Sequence, residues 1–574
     1  MVIAGVLYYG KQKGNKYMDV ENYHLNFVEE EYGEDGILKK FRTKYPDNFN
    51  FGYDIIDKYA EMDPDRRALL WVDLEGNEKL LTYGDLSKMS NRAANMFIKA
   101  GIKKGDCVLL MLKRHYQFWY ILIGLIKIGA IAIPASALLT AKDMEYRFNA
   151  AEVEAVVSTH CAQVAEFADD AEKKIGRSLK KYIVNGTREG WVDLDTEIMN
   201  YPDTLERIPT KADELFLMYF TSGTTGHPKM AVHEHSQALA YIQNAKHWQK
   251  VDPNGIHLTI SDTGWAKAAW GKIYGQLIMG TCIFVYDFDK FIPDNMLRII
   301  EKYKITTLCA PPTMFRFFIN EGLEKYDLSS LKYCNIAGEA LQAEVFNRWY
   351  EYTGLKLMEG FGQSESTCII GNLIGMEPKP GSMGKPMPLY DVDLVDKEGN
   401  SVPPGVVGEI VIRGEYCKTP GLFRGYYKSK ELTDKVWYDG MYHTGDTATR
   451  DEDGYYWYVG RNDDVIKSSG YRIGPFEVES VVATHPAVLE CAVTGAPHPI
   501  RGEVVKATIV LVDGYEPTEE LKAEIQNHVK RNTAPYKYPR IVEFVKELPK
   551  TVSGKIRRVE IRQHDRENSE KNNK

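Results

Sequence analysis

The chain has 574 residues, of which 44% are hydrophobic, 26% charged and 11% aromatic. This length exceeds what one hydrophobic core usually supports, and this composition excludes disordered, collagenous and coiled-coil proteins. The 72 basic and 80 acidic residues give a net charge of −8, so no general positive field would recruit nucleic acid or an anionic membrane. We predict a large multidomain globular protein that binds no nucleic acid and does not insert stably into a membrane.

The N-terminal region and the cysteines bear on location. The apolar stretch 2–9 is too short for a signal sequence, and we interpret residues 1–17 as a vector remnant or an early start, with Met18 a plausible native start. The eight cysteines are far apart and include no Cys-x-x-Cys pair, so the sequence predicts neither a zinc site nor a dense disulfide framework. A reducing cytoplasm is then the simplest location.

The main body is predicted to be α/β. After an N-terminal extension of residues 1–45, a large domain is expected over residues 46–462. From about residue 50 to 400, strand-like runs alternate with amphipathic segments of helical length, which is typical of parallel sheets covered by helices. These runs include Cys107–Leu112, Leu215–Phe220, Thr306–Cys309 and Tyr333–Ala337.

One apolar stretch, Tyr120–Leu139, might be mistaken for a membrane span. It contains Lys127 and Pro134, and its two halves differ in pattern. Residues 120–127 are typical of a helix and residues 130–133 of a strand. We predict a buried helix followed by a buried strand.

Two further units follow the α/β body. Short β runs at about 390–460, separated by Gly, Asp and Pro turns, predict a small β-barrel-like subdomain or antiparallel sheet. These runs are Val392–Val395, Glu409–Arg413 and Tyr455–Val459. Residues 463–574 are predicted to form a small, mobile α+β C-terminal domain. Its expected elements are helices at Pro475–Thr484 and Glu519–Arg531 and strands at Val488–Thr494 and Val504–Val512.

A loop rich in glycine and hydroxyl groups follows the strand predicted at 215–220. Its hydroxyls, the amides freed by its glycines and one lysine charge can converge on phosphate oxygens. It is not a Walker A loop, because its two glycines are not separated by four residues and no Lys-Ser/Thr pair follows them. By composition alone an ordinary turn would explain it about as well. The residues assigned to phosphate are Thr221, Ser222, Gly223, Thr224, Thr225, Gly226 and Lys229.

The order of residues in this loop, TSGTTGHPK at 221–229, resembles the signature of the AMP-forming adenylating superfamily. That superfamily includes acyl-CoA synthetases, adenylation domains of peptide synthetases and luciferases. Motifs similar to that superfamily follow in the expected order, so that the resemblance covers about residues 45–560. They are Gly338-Glu339-Ala340, the GFGQSE run at 360–365, the YHTGD run at 442–446, the GRNDD run at 460–464 and the PKTVSGK run at 549–555. The segments at 261–265, 498–507, 534–540 and 549–556 look like the medium-chain acyl-CoA synthetase branch.

The resemblance implies a two-step reaction that uses ATP, magnesium and coenzyme A. A carboxylate attacks the α-phosphorus of ATP, and a thiol then displaces AMP from the acyl-adenylate. Lys555 is implied to reach between the carboxylate and the α-phosphate during the first step. Glu365 and Thr224 are implied to hold magnesium as hard oxygen ligands.

The same resemblance assigns the nucleoside contacts. Gly338, Glu339 and Ala340 would line the adenine by their backbone, with Phe361 stacking on the base. Asp446 would accept both ribose hydroxyls, because the two oxygens of a carboxylate suit a cis-diol, and Arg461 would complete this contact. The remaining residues assigned to ATP are Glu359, Gly360, Gly362, Gln363, Ser364 and Arg472.

Asp463 is implied as the pivot of the C-terminal domain. Rotation would present Lys555 for the first step and another face for thioester formation. The residues assigned to coenzyme A are Ser469, Gly470, Tyr471, Arg501, Lys530, Asn532 and Arg540, although basic residues at a helix end are usually a solvated surface. Lys555 is also proposed as a target of a protein acetyltransferase and deacetylase, because acetylation would remove its charge.

Three residues bear on the acid substrate. Acetate-specific relatives have a tryptophan where this chain has Gly362, which predicts open space behind the carboxylate. Trp265 is expected to limit that space as a pocket wall, unless it is simply part of the core. Lys267 replaces an expected apolar residue, so either it points away or the acid is not a plain alkyl acid.

We therefore predict an AMP-forming acyl-CoA synthetase for a medium, branched or aromatic carboxylic acid. One alternative is an adenylating enzyme that passes the acyl group to a carrier protein, or a luciferase-like oxidase, which the end of the chain soon after Lys555 disfavours. Another is a nucleotide-binding sensor without catalysis, which the presence of Lys555, Glu365 and Asp446 disfavours.

Overall fold

The structure is a computed structural model that describes residues 18–572 except 162, 222–226, 463, 469–470, 499–500, 535 and 551–555. For residues 471, 472 and 569–572 it describes the backbone only. Short 3₁₀ helices lie at Tyr23–Asn26, Ile198–Asn200 and Leu323–Lys325, and π-helical segments at Gly52–Asp57 and Gln243–Trp248.

The first part of the chain alternates strands and helices. Its strands are β1 (Val28–Tyr32), β2 (Leu38–Thr43), β3 (Arg67–Val72), β4 (Glu78–Thr82), β5 (Cys107–Met111), β6 (Ile131–Pro134), β7 (Val153–Thr159), β8 (Lys180–Val184), β9 (Val192–Asp193), β10 (Leu215–Thr221) and β11 (Lys229–Glu234). Its helices are α1 (Lys58–Met62), α2 (Tyr83–Lys99), α3 (Gln117–Ile128), α4 (Ala141–Ala150), α5 (Val164–Ile175), α6 (Leu194–Glu197) and α7 (Gln237–Ile242).

The same alternation continues to about residue 386. The strands are β12 (Ile256–Thr259), β13 (Cys282–Tyr286), β14 (Thr307–Ala310), β15 (Tyr333–Ala337), β16 (Leu357–Gly362), β17 (Cys368–Gly371) and β18 (Lys385–Pro386). The helices are α8 (Ala266–Gly271), α9 (Tyr274–Ile278), α10 (Pro293–Lys302), α11 (Pro312–Glu321) and α12 (Ala343–Thr353).

The last part is richer in strands. They are β19 (Asp391–Val395), β20 (Gly408–Arg413), β21 (Trp437–Tyr438), β22 (Met441–Arg450), β23 (Tyr456–Arg461), β24 (Ile466–Ser468), β25 (Tyr471–Ile473), β26 (Val488–His498), β27 (Gly502–Leu511) and β28 (Ile541–Phe544). The helices are α13 (Lys430–Asp434), α14 (Pro475–Val482), α15 (Glu519–Asn532) and α16 (Arg558–Asn572).

Two large sheets form the body and confirm the α/β prediction. In the part of the chain that the structure describes, one sheet has seven strands in the order β11-β10-β6-β5-β7-β8-β9 and the other has nine in the order β18-β17-β16-β15-β14-β12-β13-β3-β4. Neighbouring strands are parallel except at the edges, where β11, β4, β17 and β18 run antiparallel. In open sheets of this kind, ligands bind beyond the carboxyl ends of the strands.

The apolar stretch at 120–139 forms the predicted helix and strand, α3 and β6. Every residue of α3 is buried, and the Lys127 ammonium lies 2.7 Å from an Asp57 carboxylate oxygen and donates to the Asn91 side chain at 2.6 Å. A paired charge of this kind is tolerated inside a protein core. Among the described residues, no helix is long and apolar enough to cross a membrane.

The two smaller units also have the predicted character. Strands β19, β20, β22, β21 and β23 form an antiparallel sheet, as expected for about 390–460. In the C-terminal part, α14, β26, β27 and α15 lie where they were predicted, and β28 adds to β27 in parallel. The predicted domain limits at 46 and 463 remain predictions.

The described part of the N-terminal extension packs on the body. Strands β1 and β2 form a hairpin, from which the Glu30 carboxylate contacts Lys246 Nζ at 2.6 Å and His247 Nε2 at 2.8 Å. Burial alone would raise the pKa of Glu30, but these two contacts outweigh it and lower the pKa to about 2. An ionised Glu30 therefore attaches the hairpin to the helical segment at 243–248.

Candidate active site

A carboxylate network joins the loop after β16 to strands β22 and β23. Gln363 Nε2 donates to Asp446 Oδ2 at 2.6 Å and to the Thr444 carbonyl at 2.8 Å, and the Tyr442 hydroxyl donates to Gln363 Oε1 at 2.6 Å. The Tyr458 hydroxyl donates to the other Asp446 oxygen at 3.0 Å. Asp446 is only 5% exposed, so these neutral donors hold a buried carboxylate in place.

The predicted ribose pair is brought together by strand register. Asp446 on β22 is the Cα partner of Arg461 on β23, and the Gly445 amide donates to Glu409 Oε1 at 3.0 Å beside them. Sequence reasoning missed Tyr442 and Tyr458. Tyr442 opens the predicted motif that ends at Asp446, whereas the position of Tyr458 follows only from the β22–β23 register.

A second carboxylate, Glu365, connects the same loop to the phosphate-loop strand pair. It is 8% exposed, and its Oε1 accepts a hydrogen bond from the Tyr426 hydroxyl at 2.9 Å. Burial and the Glu365 charge raise the pKa of Tyr426, which keeps this hydroxyl a donor. Lys229 Nζ lies 5.0 Å from the centroid of the Tyr426 ring. The structure thus brings Lys229 and Glu365 to the same tyrosine, one to its ring and the other to its hydroxyl.

The residues that the structure describes fit a magnesium ion held mainly by substrate. Among them, no group of three or more His, Cys, Asp or Glu side chains could hold a metal ion. Magnesium commonly takes one or two carboxylates, waters and substrate phosphates, so a single buried Glu365 suffices on the protein side. The other predicted ligand, Thr224, lies outside the described residues.

The segment assigned to adenine follows β15. Ala337 pairs with Gly360 on β16, so residues 338–340 leave the sheet beside the GFGQSE run. Gly338 has a φ of +101°, which disfavours other residues, although an added Cβ would meet no atom within 4 Å. Glu339 is exposed and accepts a hydrogen bond from the Thr313 hydroxyl at 2.6 Å.

Glu359 connects these two segments from inside the protein. Its Oε1 accepts from the Leu341 amide at 3.2 Å, and its Oε2 is buried without a hydrogen-bond partner among the described residues. Burial raises the pKa of Glu359 to about 8. A buried carboxyl group with one unsatisfied oxygen is costly unless a ligand completes it.

Several predicted residues lie outside the described part of the chain or show only their backbone. The phosphate loop is described at its ends, where Thr221 on β10 pairs with Lys229 on β11. Residues 222–226, Lys555, Asp463, Ser469 and Gly470 lie outside the described residues. Tyr471 and Arg472 lie on β25, where the backbone alone is described.

His233 is a contact that sequence reasoning missed. It lies on β11 beyond the phosphate loop, and its Nε2 donates to the Ser364 carbonyl at 3.0 Å. Burial lowers its pKa to about 4, so the imidazole is neutral at pH 7. This bond fixes the GFGQSE run against the strand that carries Lys229. No sequence signal marked His233, because it lies outside the motifs.

The structure corrects the interpretation of Gly362. A Cβ atom added there would lie within 2.7 Å of two ring atoms of Trp270 and of the Thr367 carbonyl oxygen. The space beside Gly362 is therefore filled, and the indole that fills it comes from α8 rather than from position 362. Trp270 is 6% exposed and lies edge-on to Trp248, with ring centroids 6.3 Å apart.

The other two residues assigned to the acid lie at the start of α8. Trp265 precedes the helix, and its Nε1 is buried with no hydrogen-bond partner among the described residues. Lys267 Nζ donates to the Ala337 carbonyl at 2.7 Å, at the base of the adenine segment. The Lys267 charge is thus directed at the backbone, and its relation to the acid stays a prediction.

Two residues assigned to coenzyme A meet on the C-terminal unit. Lys530 Nζ and Arg540 Cζ lie 4.2 Å and 5.0 Å from the centroid of the Tyr538 ring, and Arg540 also donates to the Tyr538 hydroxyl at 3.0 Å. Asn532 is exposed and donates to the His528 carbonyl at 2.9 Å, and Arg501 is exposed on the turn between β26 and β27. These placements leave the coenzyme A assignment a prediction.

Comparison with known families agrees with this geometry. A family model described as "AMP-binding enzyme" matches residues 56–427, and one described as "AMP-binding enzyme C-terminal domain" matches residues 477–555. The chain therefore belongs to the family of AMP-binding enzymes. Its predicted activity as an AMP-forming acid–CoA ligase is confirmed, with ATP, magnesium and coenzyme A as the cofactors and co-substrates.

The chain is similar to named relatives over almost its whole length. It is 39% identical to human "Acyl-coenzyme A synthetase ACSM3, mitochondrial" over 541 residues, or 92% of each protein. It is 41% identical to rat "Acyl-coenzyme A synthetase ACSM4, mitochondrial" over 538 residues, again 92% of each. The predicted cytoplasmic location is wrong, because these relatives are mitochondrial proteins. Widely spaced cysteines fit more than one compartment and so could not decide the location.

Solved structures give the same result. The anthranilate CoA ligase AuaEII, solved with anthranoyl-AMP, has a TM-score of 0.82 at 29% identity and covers 91% of this chain and 98% of its own. An acyl-CoA synthetase from Brucella canis has a TM-score of 0.70 at 33% identity, covering 92% and 96%. A benzoate CoA ligase from Burkholderia xenovorans has a TM-score of 0.79 at 25% identity, covering 90% and 100%.

Proposed function

We propose that the protein converts a compact medium-chain, branched or aromatic carboxylic acid to its coenzyme A thioester through an acyl-adenylate. The observation that carries the proposal is the convergence of two buried carboxylates, Asp446 and Glu365, on the loop after β16. One is arranged for a ribose diol and the other for a phosphate-bound cation. The names of the similar anthranilate and benzoate ligases support an aromatic or similarly compact acid.

The base and ribose would bind beside β15, β16 and β22. Asp446, held by Gln363 and Tyr458, would accept the ribose hydroxyls, with Arg461 beside it. Glu359 Oε2 has no hydrogen-bond partner among the described residues, which supports the assignment of Glu359 to ATP. The adenine base would supply the missing partner. Phe361, whose ring centroid lies 6.1 Å from that of Tyr458, is the proposed stacking surface.

The phosphates would lie between Lys229 and Glu365. Magnesium, held by Glu365, Thr224 and phosphate oxygens, would neutralise the phosphate charge. Lys229 would add a positive charge near the leaving pyrophosphate, and the amides of residues 222–226 would donate to its oxygens. The motif around Lys555 supports this residue as the cation between the carboxylate and the α-phosphate.

The acid would occupy space limited by two indoles. Trp265 directly precedes α8, and Trp270, near the end of that helix, fills the space beside Gly362. Two rigid aromatic walls favour a compact acid over a long alkyl chain. The unsatisfied Trp265 Nε1 offers one donor for a polar substituent of such an acid.

The second half-reaction would need a different face of the C-terminal domain. Asp463 is the proposed pivot, and Ser469, Gly470, Tyr471 and Arg472 would line the passage of the thiol arm. Lys530, Arg540 and Arg501 are proposed contacts for the nucleotide end of coenzyme A. Acetylation of Lys555 by a protein acetyltransferase stays a prediction. It would remove the charge and stop pyrophosphate release, and a fully acetylated protein with unchanged release would contradict it.

A coupled pyrophosphate-release assay with a panel of acids tests the proposal. The panel contains acetate, butyrate, 2-methylbutyrate, benzoate, 2-aminobenzoate and palmitate, each with and without coenzyme A. We expect turnover to require coenzyme A and kcat/KM to be highest for a branched or aromatic acid. Preference for acetate or palmitate would contradict the substrate class. Turnover without coenzyme A but with an acyl-carrier protein would support the alternative adenylating enzyme.

A further inference from the structure

A cysteine, a histidine and an aspartate meet at the carboxyl ends of three strands, outside the residues assigned to ATP, acid and coenzyme A. His115 follows β5, Cys161 follows β7 and Asp287 follows β13. His115 Nδ1 lies 2.5 Å from Asp287 Oδ2, and His115 Nε2 lies 2.8 Å from Thr159 Oγ1. The Thr159 hydroxyl oxygen also accepts from the Cys161 amide at 3.1 Å. The three segments thus form one connected polar cluster.

The cluster favours a charged imidazole. Burial opposes the imidazolium, but the interactions with the Asp287 carboxylate and the Cys161 thiol outweigh it and raise the pKa of His115 to about 9. His115 and Asp287 are both buried, and the Trp71 indole donates to the same Asp287 oxygen at 3.3 Å. At neutral pH both ring nitrogens therefore donate, one to Asp287 and the other to Thr159.

The same contacts act on the thiol of Cys161. The interaction with His115 is the largest effect, and it lowers the pKa of Cys161 against the opposing effect of partial burial. The charge of Lys113, which pairs with Asp289, lowers it further. The cations that act on this thiol are thus His115 and Lys113, and each is paired with a carboxylate. An exposed thiol beside cations is the setting of reactive cysteines.

The other cysteines provide a contrast within the same chain. All eight are unpaired, and six of them are buried. Burial raises the pKa of each of these six thiols, Cys107, Cys282, Cys309, Cys334, Cys368 and Cys491. Cys417 is partly exposed and serves as an accessible reference thiol. Exposure together with a histidine–aspartate pair distinguishes Cys161 from these seven.

We propose that Cys161 is a redox modification site that reacts with small-molecule disulfides, and that His115 is the positioning residue that stabilises its thiolate. The thiolate sulfur attacks one sulfur of the disulfide, so that a mixed disulfide forms as the original S–S bond breaks. The other half leaves as a thiolate and takes a proton from solvent. The small disulfide is the oxidant, and excess thiol reverses the step.

The first test measures the rate of iodoacetamide labelling of each cysteine in the full-length protein between pH 5 and 10, by peptide mass spectrometry. We expect Cys161 to label with a midpoint below the ordinary thiol value of about 8.5, and faster than Cys417 at pH 7. A midpoint at or above about 8.5, or labelling no faster than Cys417, would overturn the proposal.

The second test asks whether His115 acts through its charge. His115→Gln keeps two hydrogen-bonding groups but cannot become cationic, so the Cys161 midpoint should move up toward that of an ordinary thiol. An unchanged midpoint in a variant with wild-type circular dichroism would overturn the role of His115. If the variant does not fold, the wild-type labelling profile alone decides whether Cys161 is activated.

The third test uses oxidised glutathione as the disulfide. We expect one glutathione adduct on the intact protein, mapped to Cys161 and released by dithiothreitol. Cys161→Ser should gain no adduct and keep wild-type acyl-CoA synthetase activity. An adduct that maps to Cys417, or no adduct under conditions that modify a control thiol peptide, would overturn the proposal.

Discussion

Position 362 is occupied by glycine because a neighbouring side chain leaves no room for anything larger. Gly362→Ala would place a methyl group against the Trp270 ring and the Thr367 carbonyl, and we expect it to lower the free energy of unfolding by about 1–3 kcal/mol. Denaturant unfolding measures this loss. In a Trp270→Leu background the same change should cost less, because the ring has gone and the Thr367 carbonyl alone remains. Equal costs in both backgrounds would show that Trp270 is not the obstacle.

Trp270 should also set the size of the acid pocket. Trp270→Leu would remove an aromatic wall, and kcat/KM for a longer acid such as octanoate should rise relative to butyrate by about tenfold, or about 1.4 kcal/mol. The ratio of the two kcat/KM values is the quantity to measure. Trp349→Leu, the same substitution in the core formed by α11 and α12, is the matched control and should leave this ratio unchanged. A ratio unaffected by Trp270→Leu would place the wall elsewhere, with Trp265 next to test.

Glu359 should make stability depend on pH in a predictable direction. Burial raises its pKa from the ordinary 4.5 to about 8 in the folded protein. Between these values the unfolded chain loses this proton while the folded chain keeps it, so stability falls as pH rises. Glu359→Gln cannot ionise and should gain stability relative to wild type from pH 5 to pH 8, by on the order of 1–3 kcal/mol. Denaturant unfolding at pH 5 and pH 8 measures this difference in stability, and Glu452→Gln, at an exposed position, is the control. Parallel curves of stability against pH for wild type and Glu359→Gln would contradict the prediction.

At the scale of elements, the register of β22 and β23 positions Asp446 and Arg461, the residues proposed to bind ribose. Tyr458→Phe removes the hydroxyl that donates to Asp446 at 3.0 Å and leaves the ring in place. A hydrogen bond to a charged group contributes about 1.5–3 kcal/mol, so KM for ATP should rise by about tenfold or more while kcat changes less. Tyr455→Phe is the matched control, because its hydroxyl donates to the Glu377 carbonyl instead. A KM for ATP that both variants leave unchanged would contradict the positioning role.

The elements themselves were largely predictable from sequence, because periodicity and motif order are local signals. The strand predicted at Tyr333–Ala337 has those limits in the structure, and the helix and strand at 120–134 are present. The motifs also pointed to Gln363 and Asp446, which the structure joins by a hydrogen bond, and their role in binding ATP stays a prediction. Trp270, His233 and Tyr458 had no such signal, because each acts across a contact between segments distant in the chain or fixed by register. The open space predicted at Gly362 was wrong for the same reason.

At the scale of the whole molecule, the central question is how one chain carries out two reactions. Most of the residues proposed to contact ATP lie before residue 463, whereas Lys555 belongs to the C-terminal segment and lies outside the described residues. Two steps that need different groups near the same substrate are served by moving one domain relative to the other. Loss of Lys555 should then separate the half-reactions.

Lys555→Ala should lower acyl-adenylate formation by about 10²–10³-fold, because a cation between two reacting anions has been removed. Conversion of synthetic acyl-adenylate and coenzyme A to thioester should stay within about tenfold of wild type, since we propose that the lysine serves only the first orientation. ATP–pyrophosphate exchange measures the first step, and thioester formation from added adenylate measures the second. Lys550→Ala is the matched control, because Lys550 lies in the same basic segment but pairs with Glu490 at 2.8 Å. Equal loss of both half-reactions in a folded Lys555→Ala protein would show that one orientation serves both steps.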